Sequence, residues 1–117
     1  MHESGEMYLE TIYVLSQQKS NVRSIDVAEK MGFSKPSVSR GVSILKSNNY
    51  LITDENGYLL LTDSGLDLAK KIYERHTLLT KLLMSFGVDE NIAETDACRI
   101  EHVISDASIE KIKEKLK

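Results

Sequence analysis

The chain has 117 residues, of which 41% are hydrophobic and 28% are charged, and it contains a single proline. This composition is typical of one compact helix-rich domain or of two small ones, and the length excludes a barrel enzyme. Fifteen basic and eighteen acidic residues give a formal net charge of -3. The bulk charge therefore does not by itself indicate nucleic-acid binding.

Cysteine usage and the N-terminal residues both point to the cytoplasm. Cys98 is the only cysteine, so no intrachain disulfide can form. The first residues have neither the basic start nor the apolar run of a signal peptide. Apolar runs elsewhere extend over only a few residues, far short of the roughly 20 that cross a bilayer. We therefore expect a cytoplasmic protein without a membrane segment.

The first two predicted helices are indicated by apolar residues at helical spacing. The first extends over residues 4–18 and is capped by Ser4. The second is short, begins at a Ser24 cap and ends at Gly32. Its inward-facing residues are predicted to be Ile25, Ala28 and Met31.

A third helix follows directly after the turn at Gly32. Ser34 is its predicted cap, and Pro36 falls in the first turn, the part of a helix that tolerates proline. Two helices joined by a tight glycine-containing turn, the second with small polar and basic residues on its outer face, are typical of a helix-turn-helix. The inward-facing residues of this second helix are predicted to be Val38, Val42 and Leu45.

A β-hairpin is predicted next, with strands over residues 51–54 and 58–61. The turn between them contains Asn56 and Gly57, which are expected to take the positive backbone angles that hairpin turns require. A hairpin directly after the second helix of such a pair makes the motif a winged helix-turn-helix.

Three further helices complete the chain. They are predicted over residues 63–86 after a Thr62 cap and before a Gly87 stop, from an Asp89 cap to about Ile104, and from a cap at Ser105 or Asp106 to the C-terminus. The predicted fold is mainly α. A winged helix-turn-helix of three helices and a β-hairpin wing covers residues 1–62, and an all-helical domain covers residues 63–117.

The charges are distributed unevenly between these two regions. From Lys19 to Lys46 there are six basic and two acidic residues, a local charge of +4, which leaves -7 for the rest of the chain. The basic segment coincides with the helix-turn-helix, where phosphate contacts are needed. The alternative is a solvated polar helix face with a serine cap. The residues predicted to bind DNA are Arg23, Ser34, Lys35, Pro36, Ser37, Ser39, Arg40 and Lys46.

Metal-ligand residue types cluster on the fifth predicted helix. Glu94, Cys98, Glu101 and His102 stand at i, i+4, i+7 and i+8 and therefore share one helix face. A thiolate, carboxylates and an imidazole on one face have no obvious packing role, and together they predict a metal site. Taken singly, the cysteine would be a small buried hydrophobe and each glutamate a solvated residue.

Two further residues are ambiguous on spacing alone. His76 interrupts the apolar stripe of the fourth helix and is read either as a core or interface histidine or as a ligand. Met7 on the first helix is more often a core residue than a ligand. No polar constellation besides the metal-ligand candidates suggests a general base or a substrate cleft, so no enzymatic activity is predicted.

Four segments together resemble the DtxR/MntR family of metal-dependent bacterial and archaeal repressors: residues 6–13, 34–39, 59–65 and 97–106. The resemblance implies a homodimer that binds a palindromic operator of metal-uptake genes once Fe²⁺ or Mn²⁺ joins the first helix to the metal-binding and dimerisation domain. The chain is similar to a short form of the family, without the SH3-like C-terminal domain of the longer iron-type members.

The resemblance also implies the ligands. The primary site would consist of Met7, Cys98, Glu101 and His102, and the second site would include Glu10, His76 and Glu94. Thr80 stands where iron-type members have a glutamate, so the second site is altered.

The ligand types bear on which metal acts. The sulfur ligands Met7 and Cys98 resemble the iron type, whereas Glu10 resembles the manganese type. Fe²⁺ is accordingly the first expectation and Mn²⁺ the second, with Zn²⁺, Co²⁺ and Ni²⁺ binding in vitro. The alternative is a metal-independent winged-helix regulator that responds to a small organic effector or to oxidation of Cys98.

Overall fold

The computed structural model describes residues 3–116, with side chains from residue 5 onward. The predicted mainly α fold with a β-hairpin is confirmed. Its elements are α1 (Glu3–Gln18), α2 (Ser24–Met31), α3 (Lys35–Ser47), β1 (Leu51–Thr53), β2 (Leu59–Leu61), α4 (Asp63–Ser85), α5 (Glu90–Ile100) and α6 (Asp106–Lys115). The chain divides into two compact units, Met1–Lys70 and Lys71–Lys117.

Helices α1 and α3 approach each other closely in the first unit. A Cβ atom at Gly41 would lie 2.5 Å from the Tyr8 ring, so only glycine fits there. The Tyr8 hydroxyl donates a hydrogen bond to the Ser37 carbonyl at 3.2 Å. These contacts couple α1 to the predicted recognition helix. The fully buried side chains around them include Leu9, Ile12, Val27, Val38, Leu45 and Leu51.

The start of α2 differs from the prediction by one residue. Arg23, and not Ser24, is the N-cap, because the Asp26 carboxylate accepts a hydrogen bond from the Arg23 backbone N–H at 2.9 Å. The buried face also differs in part from the prediction: Ala28 is buried as predicted and Val27 is fully buried, whereas Ile25, predicted to face inward, is 45% exposed. Helix α1 begins at Glu3, and the side chain of its predicted cap, Ser4, lies outside the described residues.

The hairpin wing is shorter than predicted. Strands β1 and β2 pair antiparallel, with Leu51 opposite Leu61. The Asp54 carboxylate accepts hydrogen bonds from the Asn56 and Tyr58 backbone N–H groups, each at 2.9 Å, and so draws both strand ends into the turn. Of the two predicted positive angles, only that of Gly57 is observed, at φ 79°.

In the second half, the predicted starts of the three helices are confirmed, whereas all three helices end earlier than predicted; α6, predicted to reach the C-terminus, ends at Lys115. Thr62, Asp89 and Ser105 cap α4, α5 and α6 through their side chains. Helix α4 ends at Ser85, one residue before the predicted end, and Gly87 follows in the left-handed conformation. Helix α5 ends at Ile100, four residues before the predicted Ile104.

The early end of α5 has a physical cause in the turn that follows. The Ile100 carbonyl accepts from the backbone N–H groups of both Val103 and Ile104, each at 3.0 Å, which closes a tight turn. In the second unit, the core cluster of Leu79, Ala97 and Ile109 packs against Leu78, Ile100, Ile104 and Ile112. Within residues 3–116, no helix combines the length and apolar character needed to cross a bilayer.

Candidate metal centre and nucleic-acid interface

Three of the predicted ligands come together where α5 ends. Glu101 is the C-cap residue of α5 and keeps helical backbone angles, with its N–H bonded to the Ala97 carbonyl at 2.9 Å. The helical backbone therefore continues through Glu101, and His102 follows in the turn. One donor atom from each of these three side chains lies within 4.8 Å of the other two.

The Glu101 side chain is the buried centre of this cluster, with no exposed surface. Its Oε2 atom lies 3.0 Å from Nδ1 of His76, and its Oε1 atom lies 3.4 Å from Nε2 of His102. The hydrogen bond to Glu101 raises the pKa of His76, and the negative charge of Glu94 adds to this effect against the opposing influence of burial. A buried carboxylate thus lies between two imidazoles.

The donor set fits a divalent transition-metal ion. Thiolate sulfur, carboxylate oxygen and imidazole nitrogen are all ligands of such ions. Within the described residues, Glu101 Oε1 is buried and accepts no hydrogen bond. Buried acceptors of this kind are rare in native proteins, and a cation would satisfy the atom.

The other predicted ligands lie at differing exposures. Met7 and Glu10 are on α1, in the first unit, and both are half-buried. His76 is half-buried on α4, and Glu94, on α5, is exposed. The Thr80 hydroxyl donates to the His76 backbone carbonyl at 2.8 Å.

One residue next to the cluster, Arg75, was not predicted from the sequence. Arg75 donates from Nη1 to the backbone carbonyls of Glu101 at 3.0 Å and Ile104 at 3.2 Å, and its Nη2 pairs with Asp106. An arginine beside a histidine on an amphipathic helix is ordinarily a solvated residue. No local pattern indicated these partners, which lie 26 to 31 residues away in the chain.

Six of the eight predicted DNA-contacting residues lie at the cap and in the first half of α3, whereas Arg23 caps α2 and Lys46 lies in the last turn of α3. The Ser34 hydroxyl caps the helix by accepting from the Ser37 N–H at 3.3 Å, as predicted. Arg40 is exposed and donates from Nη2 to the Ser37 hydroxyl, also at 3.3 Å. Lys35, Pro36 and Ser39 are exposed on the same helix. The first turn of α3 contains no acidic residue, so its positive dipole end is available to an anion.

The wing holds two of the predicted DNA-binding cations. The Arg23 guanidinium lies 4.7 Å from the centre of the Tyr58 ring and donates to the Tyr58 hydroxyl at 3.3 Å. Lys46 donates to the Thr53 hydroxyl at 3.1 Å. Tyr58 and Thr53 were not predicted as part of this interface. The directions of their side chains depend on the strand pairing of the hairpin, which the sequence does not specify residue by residue. Both bonds leave the cations exposed for phosphate contact.

Two protein-family models match the chain from end to end. Residues 1–59 match the iron-dependent repressor, N-terminal DNA-binding domain. Residues 62–117 match the iron-dependent repressor, metal-binding and dimerisation domain.

Similar proteins include transcriptional regulators named MntR. The HTH-type transcriptional regulator MntR of Bacillus subtilis (strain 168) is 38% identical over 109 residues, which cover 93% of this chain and 77% of that protein. The MntR of Listeria monocytogenes serotype 4b (strain F2365) is 37% identical over 109 residues, which again cover 93% of this chain and 77% of that protein.

Solved structures give the same relationship. The structure of the manganese regulator SloR matches with a TM-score of 0.87 and 32% identity, covering 96% of this chain and 53% of that one. A manganese-dependent transcriptional repressor in complex with manganese matches with a TM-score of 0.88 and 27% identity, covering 96% and 52%. The chain therefore spans about half the length of these two solved proteins.

Proposed function

Because this chain belongs to the DtxR/MntR family of metal-dependent, DNA-binding transcriptional repressors, we propose that it binds palindromic operators of metal-uptake genes as a cytoplasmic homodimer when a divalent cation is bound. The observation that carries the proposal is the buried Glu101 carboxylate, which offers an oxygen within 4.8 Å of donors from Cys98 and His102. A divalent cation fits this combination of charge, burial and donor types.

We propose that two ligand sets hold the metal. The primary set is Met7, Cys98, Glu101 and His102, and the second set is Glu10, His76 and Glu94. The proximity of Cys98, Glu101 and His102 supports the primary set. The hydrogen bond between His76 and Glu101 supports a second set linked to the first through one carboxylate.

Fe²⁺ is the proposed activating metal, with Mn²⁺ second. The sulfur donors of Cys98 and Met7 support this order, because soft ligands favour iron over manganese. The names of the similar regulators support the reverse order. Other divalent metals, including Zn²⁺, Co²⁺ and Ni²⁺, would bind the same donors in vitro.

DNA binding is assigned to residues 1–62, and metal binding and dimerisation to residues 63–117. The basic and polar residues around α3 would contact the operator: Arg23, Ser34, Lys35, Pro36, Ser37, Ser39, Arg40 and Lys46. The available N-terminus of α3 and the exposure of Lys35, Ser39 and Arg40 support this assignment. Each phosphate contact would contribute about -0.9 to the slope of log affinity against log salt.

The coupling between the two activities is proposed to pass through α1. This helix carries Met7 and Glu10, and Tyr8 on the same helix packs against Gly41 and bonds to Ser37 of α3. A bound cation would supply bonds that hold donors of α1 and of α5 together, which would fix the orientation of α3. Shifting a population from 1:99 to 99:1 requires about 5.5 kcal/mol of differential affinity, within the reach of a few metal–ligand bonds.

The test is an anaerobic operator-binding titration of the wild type with Fe²⁺, Mn²⁺ and a chelator, compared with His102→Ala and Glu101→Gln. Operator binding by the wild type is expected to require metal, with Fe²⁺ acting at lower concentration than Mn²⁺. Both variants should lose the metal-dependent binding and keep a cooperative thermal unfolding transition. Each removes one ligand donor, so neither can complete the primary site.

Glu90→Gln is the matched control, because it makes the same chemical change at an exposed position in the first turn of α5. It should respond to metal like the wild type. Operator binding that is equally tight in chelator would refute the proposal and favour a regulator that responds to an organic effector or to Cys98 oxidation. Activation by Mn²⁺ at lower concentration than Fe²⁺ would reverse the proposed metal order alone.

A further inference from the structure

Arg75 connects α4 to the turn that carries two of the candidate ligands. Its side chain is only 13% exposed, although it bears a charge on the outer part of a helix. Among the described residues, its hydrogen-bond partners lie in one short segment: the carbonyls of Glu101 and Ile104 and the carboxylate of Asp106. A single guanidinium thus binds both ends of the connection between α5 and α6.

The connection needs such a partner because it lies just beyond a helix end. The last carbonyls of a helix have no intrahelical donors, and Glu101 and His102 occupy the positions where α5 stops. Backbone rotation in this turn would move the Glu101 carboxylate and the His102 imidazole relative to Cys98. The planar guanidinium donates to several acceptors in a fixed geometry and therefore restricts that rotation.

We propose that Arg75 is a positioning residue for the metal centre: its guanidinium holds the turn that carries Glu101 and His102 in the geometry needed for ligation before the cation binds. The inference rests on the proposed metal site and adds a residue that supports it without binding the cation. Groups that orient metal ligands in this way typically contribute about 10- to 100-fold to metal affinity.

Substitution of Arg75 should change the metal affinity in opposite directions, depending on whether the residue acts through its charge or through positioning. A positive charge close to a cation site repels the cation, so removal of the Arg75 charge should by itself strengthen metal binding. Loss of the positioning contacts should weaken it. The sign of the change on substitution therefore distinguishes the two roles.

The experiment measures Co²⁺ affinity by anaerobic titration, because the thiolate-to-Co²⁺ absorption band reports coordination by Cys98. Arg75→Met is expected to weaken Co²⁺ binding by about 10- to 100-fold. Arg75→Lys keeps the charge but lacks the planar fork, and it should be nearly as weak. Lys71→Met is the matched control: Lys71 pairs with the same Asp106 but is 56% exposed, and its loss should leave affinity within about 3-fold of the wild type.

A second readout tests positioning in the absence of metal. Amide hydrogen exchange at residues 101–104 of the metal-free protein should become faster in Arg75→Met than in Lys71→Met, while exchange in α3 stays unchanged. If Arg75→Met does not fold, Asp106→Asn removes one anchor of the guanidinium and should weaken Co²⁺ binding by roughly 3- to 10-fold.

The outcomes separate this inference from the proposed function. Unchanged or tighter Co²⁺ binding by Arg75→Met or by Asp106→Asn, or full rescue by Arg75→Lys, would overturn the positioning role. Absence of the thiolate absorption band in the wild type would instead overturn the proposed metal site.

Discussion

Helices α3 and α6 begin with the same capping motif but differ in the charge that follows it. Ser34 accepts from the Ser37 N–H at 3.3 Å, and Ser105 accepts from the Ser108 N–H at 3.2 Å. In both motifs the two serine hydroxyls are also hydrogen-bonded to each other. The first helical residue is Lys35 in α3 and Asp106 in α6.

The difference shows how one local motif can serve two purposes. A helix N-terminus carries a partial positive charge, so Asp106 is favourable at the start of α6. Arg75 and Lys71 bond to this carboxylate and hold its pKa below the usual value. The negative charge of Asp106 is therefore neutralised by cations of the protein itself. Lys35 is locally unfavourable at the start of α3. With no acidic residue in its first turn, the N-terminus of α3 keeps its partial positive charge uncompensated, which suits the operator contact proposed above.

The largest effect is expected when α6 is given the N-terminal charge of α3. Asp106→Lys would place a third positive charge beside Arg75 and Lys71 and remove the anchor of the Arg75 guanidinium. We expect metal affinity to fall by about 100-fold, the upper end of the range for groups that orient ligands, with a lower midpoint of thermal unfolding. Metal titration and circular dichroism measure the two effects.

Glu110→Lys makes the same charge change one turn later on α6, at an exposed position, and serves as the control. It should bind metal nearly as tightly as the wild type. Equal losses in the two variants would mean that net charge, and not the N-terminal position of Asp106, determines the effect.

The reciprocal exchange, which gives α3 the N-terminal charge of α6, should act on operator binding. Lys35→Asp gives α3 the favourable N-terminal charge of α6 and should stabilise the helix by about 0.3–1 kcal/mol. Operator affinity should nevertheless fall by about 10-fold at 0.1 M salt, and the salt slope should decrease by about 0.9, the contribution of one phosphate contact. Fluorescence anisotropy at several salt concentrations measures both quantities.

Lys70→Asp is the control for this exchange, because it makes the same change at an exposed position outside the helix-turn-helix. Metal affinity should be unchanged in both variants. An operator affinity of Lys35→Asp equal to that of Lys70→Asp would remove Lys35 from the DNA interface.

Features decided within a few residues were predictable from the sequence. The caps Ser34 and Asp89 were predicted, and Ser105 was one of two predicted alternatives, because the donor and acceptor of a cap lie within three residues of each other. Cys98, Glu101 and His102 were predicted as a group because continuous helical spacing would place them on one face, and their donor atoms do lie together although α5 ends at Ile100. The glycine stops at Gly32 and Gly87 follow from the positive φ that both adopt.

The wrong predictions concern features that depend on contacts between distant residues or on competition between neighbouring caps. Helix α5 was predicted to extend to Ile104 because the apolar period continues, but the Arg75 contacts and the turn at Ile100 end it earlier. The α2 cap was misplaced because the Asp26 carboxylate made Arg23 a better start than Ser24. Arg75 and Tyr58 were missed because their partners are distant in sequence.

The smallest expected effect tests whether the two caps are equivalent as structural elements. Ser34→Ala and Ser105→Ala each remove a hydroxyl that accepts from a backbone N–H, and each should lower the free energy of unfolding by about 1 kcal/mol. Only Ser34→Ala should also weaken operator binding, because the N-terminus of α3 faces the DNA in the proposed complex. Urea unfolding together with anisotropy separates the two effects. If Ser105→Ala weakened operator binding as much as Ser34→Ala at saturating metal, helix stability alone would account for both, and the N-terminus of α3 would have no special role in anion binding.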